Sequence, residues 1–239
     1  MRPRTADRVT RSLKAELPFE TGDRLDQQTF HQLYKQTPEW IKAELIGGIV
    51  YVASPTSFRH GRPHARMVYW LGTYGGELPG VEVFDNTTNI LADESEPQPD
   101  AGMFFLPEYG GKMTEDEEGI LNGPADLVVE VANTSVALDM HAKKRDYEAA
   151  GVREYLVVRV KQEDAVWFAR GRKGFTELKP EPDGVLRSRV FPGLWLDPSA
   201  VFDKTTRRLM AVLRQGLASP EHAAFVAKLE SRAKKRKPK

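Results

Sequence analysis

One segment limits the possible folds more than any other: PADLVVEVANTSVALDMHAKKRDYEAAGVREYLVV, residues 124–158. It opens as an apolar strand over Leu127–Val131 and continues as a helix to about Ala150, where Gly151 stops it. Two further strands follow, EYLVVRV and AVWFAR. Short apolar runs bounded by turn signals read as buried strands, and glycine supplies the left-handed conformation that closes a helix. The anomaly is Glu130, a carboxylate inside LVVEVA. A buried charge without a partner is too costly to keep, so the fold has to bring this glutamate a counter-charge or a metal ion.

The rest of the chain is consistent with layers of helix and sheet. DQQTFHQLYKQTPEW spaces Phe30, Leu33 and Tyr34 as a helix does, and Pro38 is expected to end it. In KAELIGGIVYVASP two apolar arms flank Gly47-Gly48, a hairpin signal, with Glu44 on the first arm. SFRHGRPHARMVYWLGTYGGEL predicts a helix starting near Gly61, with Pro63 in its first turn and Gly75-Gly76 at its end. VEVFDNTTNIL reads as a strand or strand pair, and PQPDAGMFFLP as a strand entered through two prolines. GGKMTEDEEGILNG reads as an acidic surface loop. Residues 173–199, punctuated by proline and glycine, are expected to extend the sheet, and DPSAVFDKTTRRLMAVLRQGL to start a helix. No internal repeat is evident. The order of elements predicts an α/β fold with a mixed central β-sheet flanked by helices.

Composition excludes several classes. The 239 residues carry a net charge of +1 and no cysteine. Disulfides and thiolate metal sites are ruled out, and a reducing cytoplasm is the expected compartment. No apolar run approaches the roughly 18 residues needed to cross a bilayer, so no membrane association is expected. The N-terminal stretch lacks the apolar core of a secretory signal. Residues 1–27 read as an arm, 28–215 as one domain, and 216–239 as a basic C-terminal helix or tail. The ending SRAKKRKPK would add non-specific phosphate affinity or stand as a solvated tail.

Chemistry concentrates on Asp100, which enters the apolar strand AGMFF, on Glu130, and on Lys143 one helix away. Two neighbouring buried carboxylates repel, and one takes up a proton unless a cation sits with them. Paired acids with positions left for water suit Mg²⁺ or Mn²⁺. Strand alternation puts Asp126, Val128, Glu130 and Ala132 on one face. Asp126 then lies roughly 13 Å from Glu130, too far to share an ion. Lys143 shares a helix face with Asp139 and Tyr147, at i−4 and i+4. The plainer readings are a structural salt bridge from Glu130 to Lys143 or Arg145, a surface pair between Lys143 and Asp139, and packing for Tyr147. Lys144 competes with Lys143 for the assignment. His60 and His64 have an H-x-x-x-H spacing, but Pro63 and a helix start near Gly61 would leave His60 outside the helix as a hydrogen-bonding residue, which argues against zinc.

Taken in order, ELIGGIVYVASP, RH, PQPD, DLVVEVANTS and D-x-x-x-K-x-x-x-Y-x-x-x-GVREYLVV resemble the Uma-type endonucleases, a bacterial branch of the PD-(D/E)XK nuclease superfamily. The resemblance covers about Phe30 to Leu196. It implies a restriction-endonuclease-like core and Mg²⁺- or Mn²⁺-dependent hydrolysis of DNA phosphodiesters. By the same resemblance, Asp100 matches the aspartate of the PD element and Glu130 the acid of the (D/E)XK element. Ala132 stands where the superfamily lysine would fall, and Lys143 matches a lysine moved to the following helix. Glu44 matches a hairpin glutamate and His60 a histidine at the start of the next helix; Gly48 stands where a second glutamate is common. Asp100, Glu130 and Glu44 are the expected metal ligands. Cutting both strands is easier with two sites, so a homodimer is one expected arrangement. The competing expectation is a catalytically silent nuclease fold that binds nucleic acid or a protein partner.

Overall fold

The computed structural model describes residues 17–236. Its centre is a six-stranded sheet in the order β11-β10-β9-β8-β5-β3, formed by β3 (Val81–Asp85), β5 (Ala101–Phe105), β8 (Leu127–Ala132), β9 (Glu154–Arg159), β10 (Asp164–Gly171) and β11 (Gly174–Glu177). β8 and β9 are parallel, while the other neighbours are antiparallel. A parallel pair needs a long crossover. Here the crossover contains a π-helical turn, Leu138–Lys143, that runs directly into helix α3, Lys144–Ala150. Gly151 closes α3 at φ 100°, where a side chain would be strained.

The alternation of β8 divides the protein into two layers. Leu127, Val129 and Val131 face helix α2 (Phe58–Gly75) and pack with its Met67, Trp70, Leu71 and Tyr74. Helix α4 (Arg207–Leu217) adds Leu209, Met210 and Leu213 to that layer. Val128 and Ala132 face the other way and pack with Tyr147, Tyr155 and Phe168. Glu130 belongs by alternation to this second face, where the π turn and α3 lie. Helix α5, Pro220–Arg236, ends the described chain.

A separate hairpin, β1 (Ala43–Ile46) with β2 (Ile49–Val52), turns on Gly47 and Gly48, both at positive φ. Its apolar side packs with Phe19 and with Phe30 of helix α1, Gln27–Tyr34, whose N-terminus is capped by the Asp26 side chain. Leu45 exchanges backbone hydrogen bonds with Glu96, which docks the hairpin beside the chain leading into β5.

Several local expectations need correction. Helix α1 ends at Tyr34, ahead of Pro38, because Thr37 turns back and its hydroxyl donates to the Tyr34 carbonyl. Helix α2 begins at Phe58 rather than near Gly61: the Ser57 carbonyl accepts from the amides of both His60 and Gly61, so the turn is closed before Pro63. The acidic loop contains two short strands, β6 (Thr114–Glu115) and β7 (Leu121–Asn122), which join β4 (Asn89–Ile90) in a three-stranded sheet. Asp116 closes their turn by accepting from the amides of Glu118 and Ile120. In residues 173–199 only β11 extends the main sheet. β12 (Leu186–Arg187) and β13 (Trp195–Leu196) pair with each other instead. Most of the expected N-terminal arm, and the last three residues of the basic tail, lie outside the described residues.

Candidate active site

Two strands and a helical turn bring the acids together. β5 and β8 pair antiparallel with Ala101 opposite Val129. One step beyond that last pair, Asp100 lies against Glu130. The Asp100 carboxylate is fixed there, because its Oδ2 accepts from the Val131 amide at 2.7 Å. On its other side it meets Nε2 of His60, 3.1 Å from Oδ1.

Glu130 is almost completely buried and is met from the crossover. Lys143 Nζ lies 3.0 Å from its Oε1, and the Tyr147 hydroxyl donates to the same oxygen at 2.8 Å. The same amine reaches Glu44 Oε1 at 2.8 Å and stands 3.8 Å from Asp139 Oδ1. Glu44 in turn accepts from the Gln98 amide at 2.7 Å, which holds the hairpin glutamate over the site. Asp139 is steadied by the Ser135 hydroxyl, 2.6 Å from its Oδ2. The wide i→i+5 turn of the π-helix lets Asp139 and Lys143 both face inward, and such turns recur at functional sites. The neighbouring Lys144 points elsewhere: its amine lies over the Phe168 ring, 4.8 Å from the centroid.

Electrostatics separates these acids. Burial pushes Glu130 well above the usual carboxylate range; Lys143 pulls it back, while Asp139, Asp100 and Glu44 push it up further. Burial raises Asp139 to about 6 against the pull of Lys143 and Ser135. Asp100 is also pushed up by burial, but the His60 hydrogen bond and charge and the Val131 amide outweigh that and hold it low. Burial works against a charged Lys143, yet Glu130, Glu44 and Asp139 keep it well above its ordinary value. His60 is raised, chiefly by its bond to Asp100. One ammonium thus faces three carboxylates, with a fourth next door. Glu44, Glu130 and Asp139 are held by that ammonium, and carboxylate oxygens are the donors that a hard divalent cation takes.

Of the five expected site residues, Glu130, Glu44 and Lys143 form one hydrogen-bonded cluster, and Asp100 with His60 forms a second beside it, anchored to the Val131 amide next to Glu130. Tyr147 and Asp139, expected only to pack and to pair at the surface, belong to the first cluster. Tyr147 bonds Glu130 as well as packing, and Asp139 is buried beside Lys143 instead of standing at the surface. Their spacing from Lys143 was the available signal. His64 joins too: because α2 starts early, His60 and His64 lie one turn apart within it, and with Asp100 they form a group able to hold a metal ion. Asp126 is apart from the site, bonded to the Phe105 amide at 2.9 Å and to Arg153 at 3.0 Å.

A crystal structure described as a putative nuclease belonging to DUF820, from Anabaena variabilis ATCC 29413, matches this chain with a TM-score of 0.53 at 11% identity, covering 76% of this chain and 97% of its own. The chain therefore shares the fold of that protein, a mixed sheet flanked by helices. Residues 27–199 match the Uma2 family, described as "Putative restriction endonuclease". That match spans well over half of the chain, and the chain belongs to the Uma2 family. No curated protein matches it. The family match supports a nuclease function. Among the described residues no helix is long and apolar enough to cross a membrane.

Proposed function

We propose that the chain is a Mg²⁺- or Mn²⁺-dependent endonuclease that hydrolyses phosphodiester bonds of DNA in the cytoplasm. The observation that carries this reading is the convergence of Glu44, Glu130 and Lys143 within 3.0 Å contacts, with Asp100 on the adjoining strand. Asp100, Glu130 and Glu44 would hold the ion, which when bound supplies Lewis acidity toward a phosphoryl oxygen and a water. Lys143 orients the attacking water or stabilises the negative charge that develops on the phosphate, as a preorganised cation does. Tyr147 keeps the Glu130 carboxylate in one orientation, and the Val131 amide does the same for Asp100. His60 holds Asp100 ionised at neutral pH. A homodimer would offer one such site to each strand of a duplex. Residues 28–215 form the catalytic unit in this reading, and the flanking segments are accessory.

A second reading draws on one observation. Lys143 already neutralises Glu44 and Glu130 directly. A closed salt-bridge cluster of that kind also suits a nuclease fold that binds nucleic acid or a partner without cutting. Plasmid, linear and single-stranded DNA, with RNA as a control, incubated with Mg²⁺ or Mn²⁺ separate the two. Cleavage by the wild type that is absent in Asp100→Ala and Glu130→Ala supports the enzyme. Binding without cleavage, or equal cleavage by all three proteins, leaves the enzyme reading without support.

A further inference from the structure

The histidine side of Asp100 differs in chemistry from the glutamate side. His60 and His64 stand one helical turn apart on α2, with ring centroids 5.6 Å apart. One ligand atom each from His60, His64 and Asp100 lies within 4.8 Å of the others. His64 Nε2 is 2.8 Å from the Asp100 carbonyl oxygen and 2.7 Å from Asp85 Oδ1, with the Asn86 amide at 3.3 Å. His60 touches Asp100 through Nε2, and its Nδ1 is buried with no hydrogen-bond partner. The trio is thus anchored to β3 and β5 and retains an imidazole nitrogen that the protein leaves unpaired.

We propose that His60, His64 and Asp100 form a site for a first-row transition-metal ion, such as Mn²⁺, Co²⁺ or Zn²⁺, that Mg²⁺ does not enter. Imidazole suits these ions, whereas Mg²⁺ keeps to oxygen and to its own waters. Metal–nitrogen and metal–oxygen bonds of about 2.0–2.2 Å set donor separations of roughly 3–3.5 Å. Closing from within 4.8 Å to that spacing is the movement that binding would ask of the three side chains. Three protein ligands leave positions open for water or a phosphate. Asp85 and the Asp100 carbonyl hold the His64 ring in the way that outer partners orient metal-bound histidines. The proposal builds on Asp100 as a metal-holding carboxylate, and its test reads binding rather than cleavage.

Metal-free, full-length protein is titrated with Co²⁺ and followed by its visible absorption, and with Mn²⁺ followed by the loss of the free-ion electron paramagnetic resonance signal. With a large excess of Mg²⁺ present to occupy the carboxylate site, one Co²⁺ or Mn²⁺ per chain is expected, and the cobalt spectrum should be the same as without Mg²⁺. His64→Ala and His64→Asn, the latter keeping a donor toward Asp85, should each weaken binding by about tenfold or more. In ¹⁵N spectra of the wild type, Zn²⁺ should shift the ring nitrogens of both His60 and His64. Glu130→Gln, which leaves the trio intact, should still bind Co²⁺. Unaltered Co²⁺ affinity in both His64 variants, silent histidine nitrogens, or displacement of Co²⁺ by Mg²⁺ at similar concentration would overturn the site. A protein that binds Co²⁺ through the histidines and cuts no DNA keeps this inference and loses the nuclease one; cleavage without a histidine-bound ion does the reverse.

Discussion

Replacing Lys143 by methionine keeps the bulk of the side chain and removes its charge. In the wild type Lys143 is 5% exposed, and its amine serves Glu130, itself 3% exposed, Glu44 and Asp139. Deleting one partner of a buried pair leaves the other charge uncompensated and costs about 3–5 kcal/mol. Glu44 adds less to that cost, because its side chain is 18% exposed and water still reaches it. Against a typical stability of about 5–15 kcal/mol, such a loss is easily measured. Urea denaturation at pH 8 with chelator present should show the midpoint falling by that amount with an unchanged slope. Adding Mg²⁺ should then stabilise Lys143→Met more than the wild type, because the ion takes over part of the role of the missing ammonium. The double variant Lys143→Met/Glu130→Gln should recover part of the loss, since it removes the stranded charge. A loss under about 1 kcal/mol, with no recovery in the double variant, would refute the idea that the lysine closes a buried charge cluster.

Tyr147→Phe removes only the hydroxyl that donates to Glu130 at 2.8 Å; a loss of about 1.5–3 kcal/mol is expected by urea denaturation, and an unchanged midpoint would show that Tyr147 only packs. Glu154, far from any proposed ligand, is raised by burial to about 7 despite its bonds to Ser188 and to the amides of Arg189 and Val190. The folded state therefore keeps this proton where the unfolded state, at the ordinary 4.5, has released it. Its contribution is complete below about pH 4.5 and is lost as pH rises through about 7, a change on the order of 3 kcal/mol. Glu154→Gln should flatten that part of the stability profile between pH 4.5 and 8, whereas parallel profiles for variant and wild type would remove Glu154 as the cause.

The core of the candidate site was legible because it rests on short-range geometry. Strand alternation by itself puts Glu130 with Ala132 on the face opposite Val129 and Val131, and the folded chain keeps that division. The i±4 spacing likewise ties Lys143 to Asp139 and Tyr147. The depth of their burial was not legible. Asp139 has the look of a first-turn surface acid until the π turn and the hairpin glutamate enclose it, and both depend on tertiary packing. His64 is a different case: its H-x-x-x-H spacing from His60 is visible in the sequence, but a helix start near Gly61 would leave His60 outside, whereas the Ser57 carbonyl starts the helix early enough to hold both. The strands within the acidic segment depend on pairing with distant Asn89–Ile90, a long-range contact with no periodic signature.

The central claim is that Asp100, Glu130 and Lys143 act together on a phosphodiester. Its most direct test is single-turnover cleavage of a labelled DNA duplex by the wild type, Asp100→Asn, Glu130→Gln and Lys143→Met, each first shown to be folded under the assay conditions. Metal-dependent cleavage by the wild type is expected, with a rate at least about a hundredfold lower in each variant, the scale seen when a transition-state contact is removed. Cleavage by any of the three at the wild-type rate, or a wild type that cuts equally well with chelator present, would contradict it.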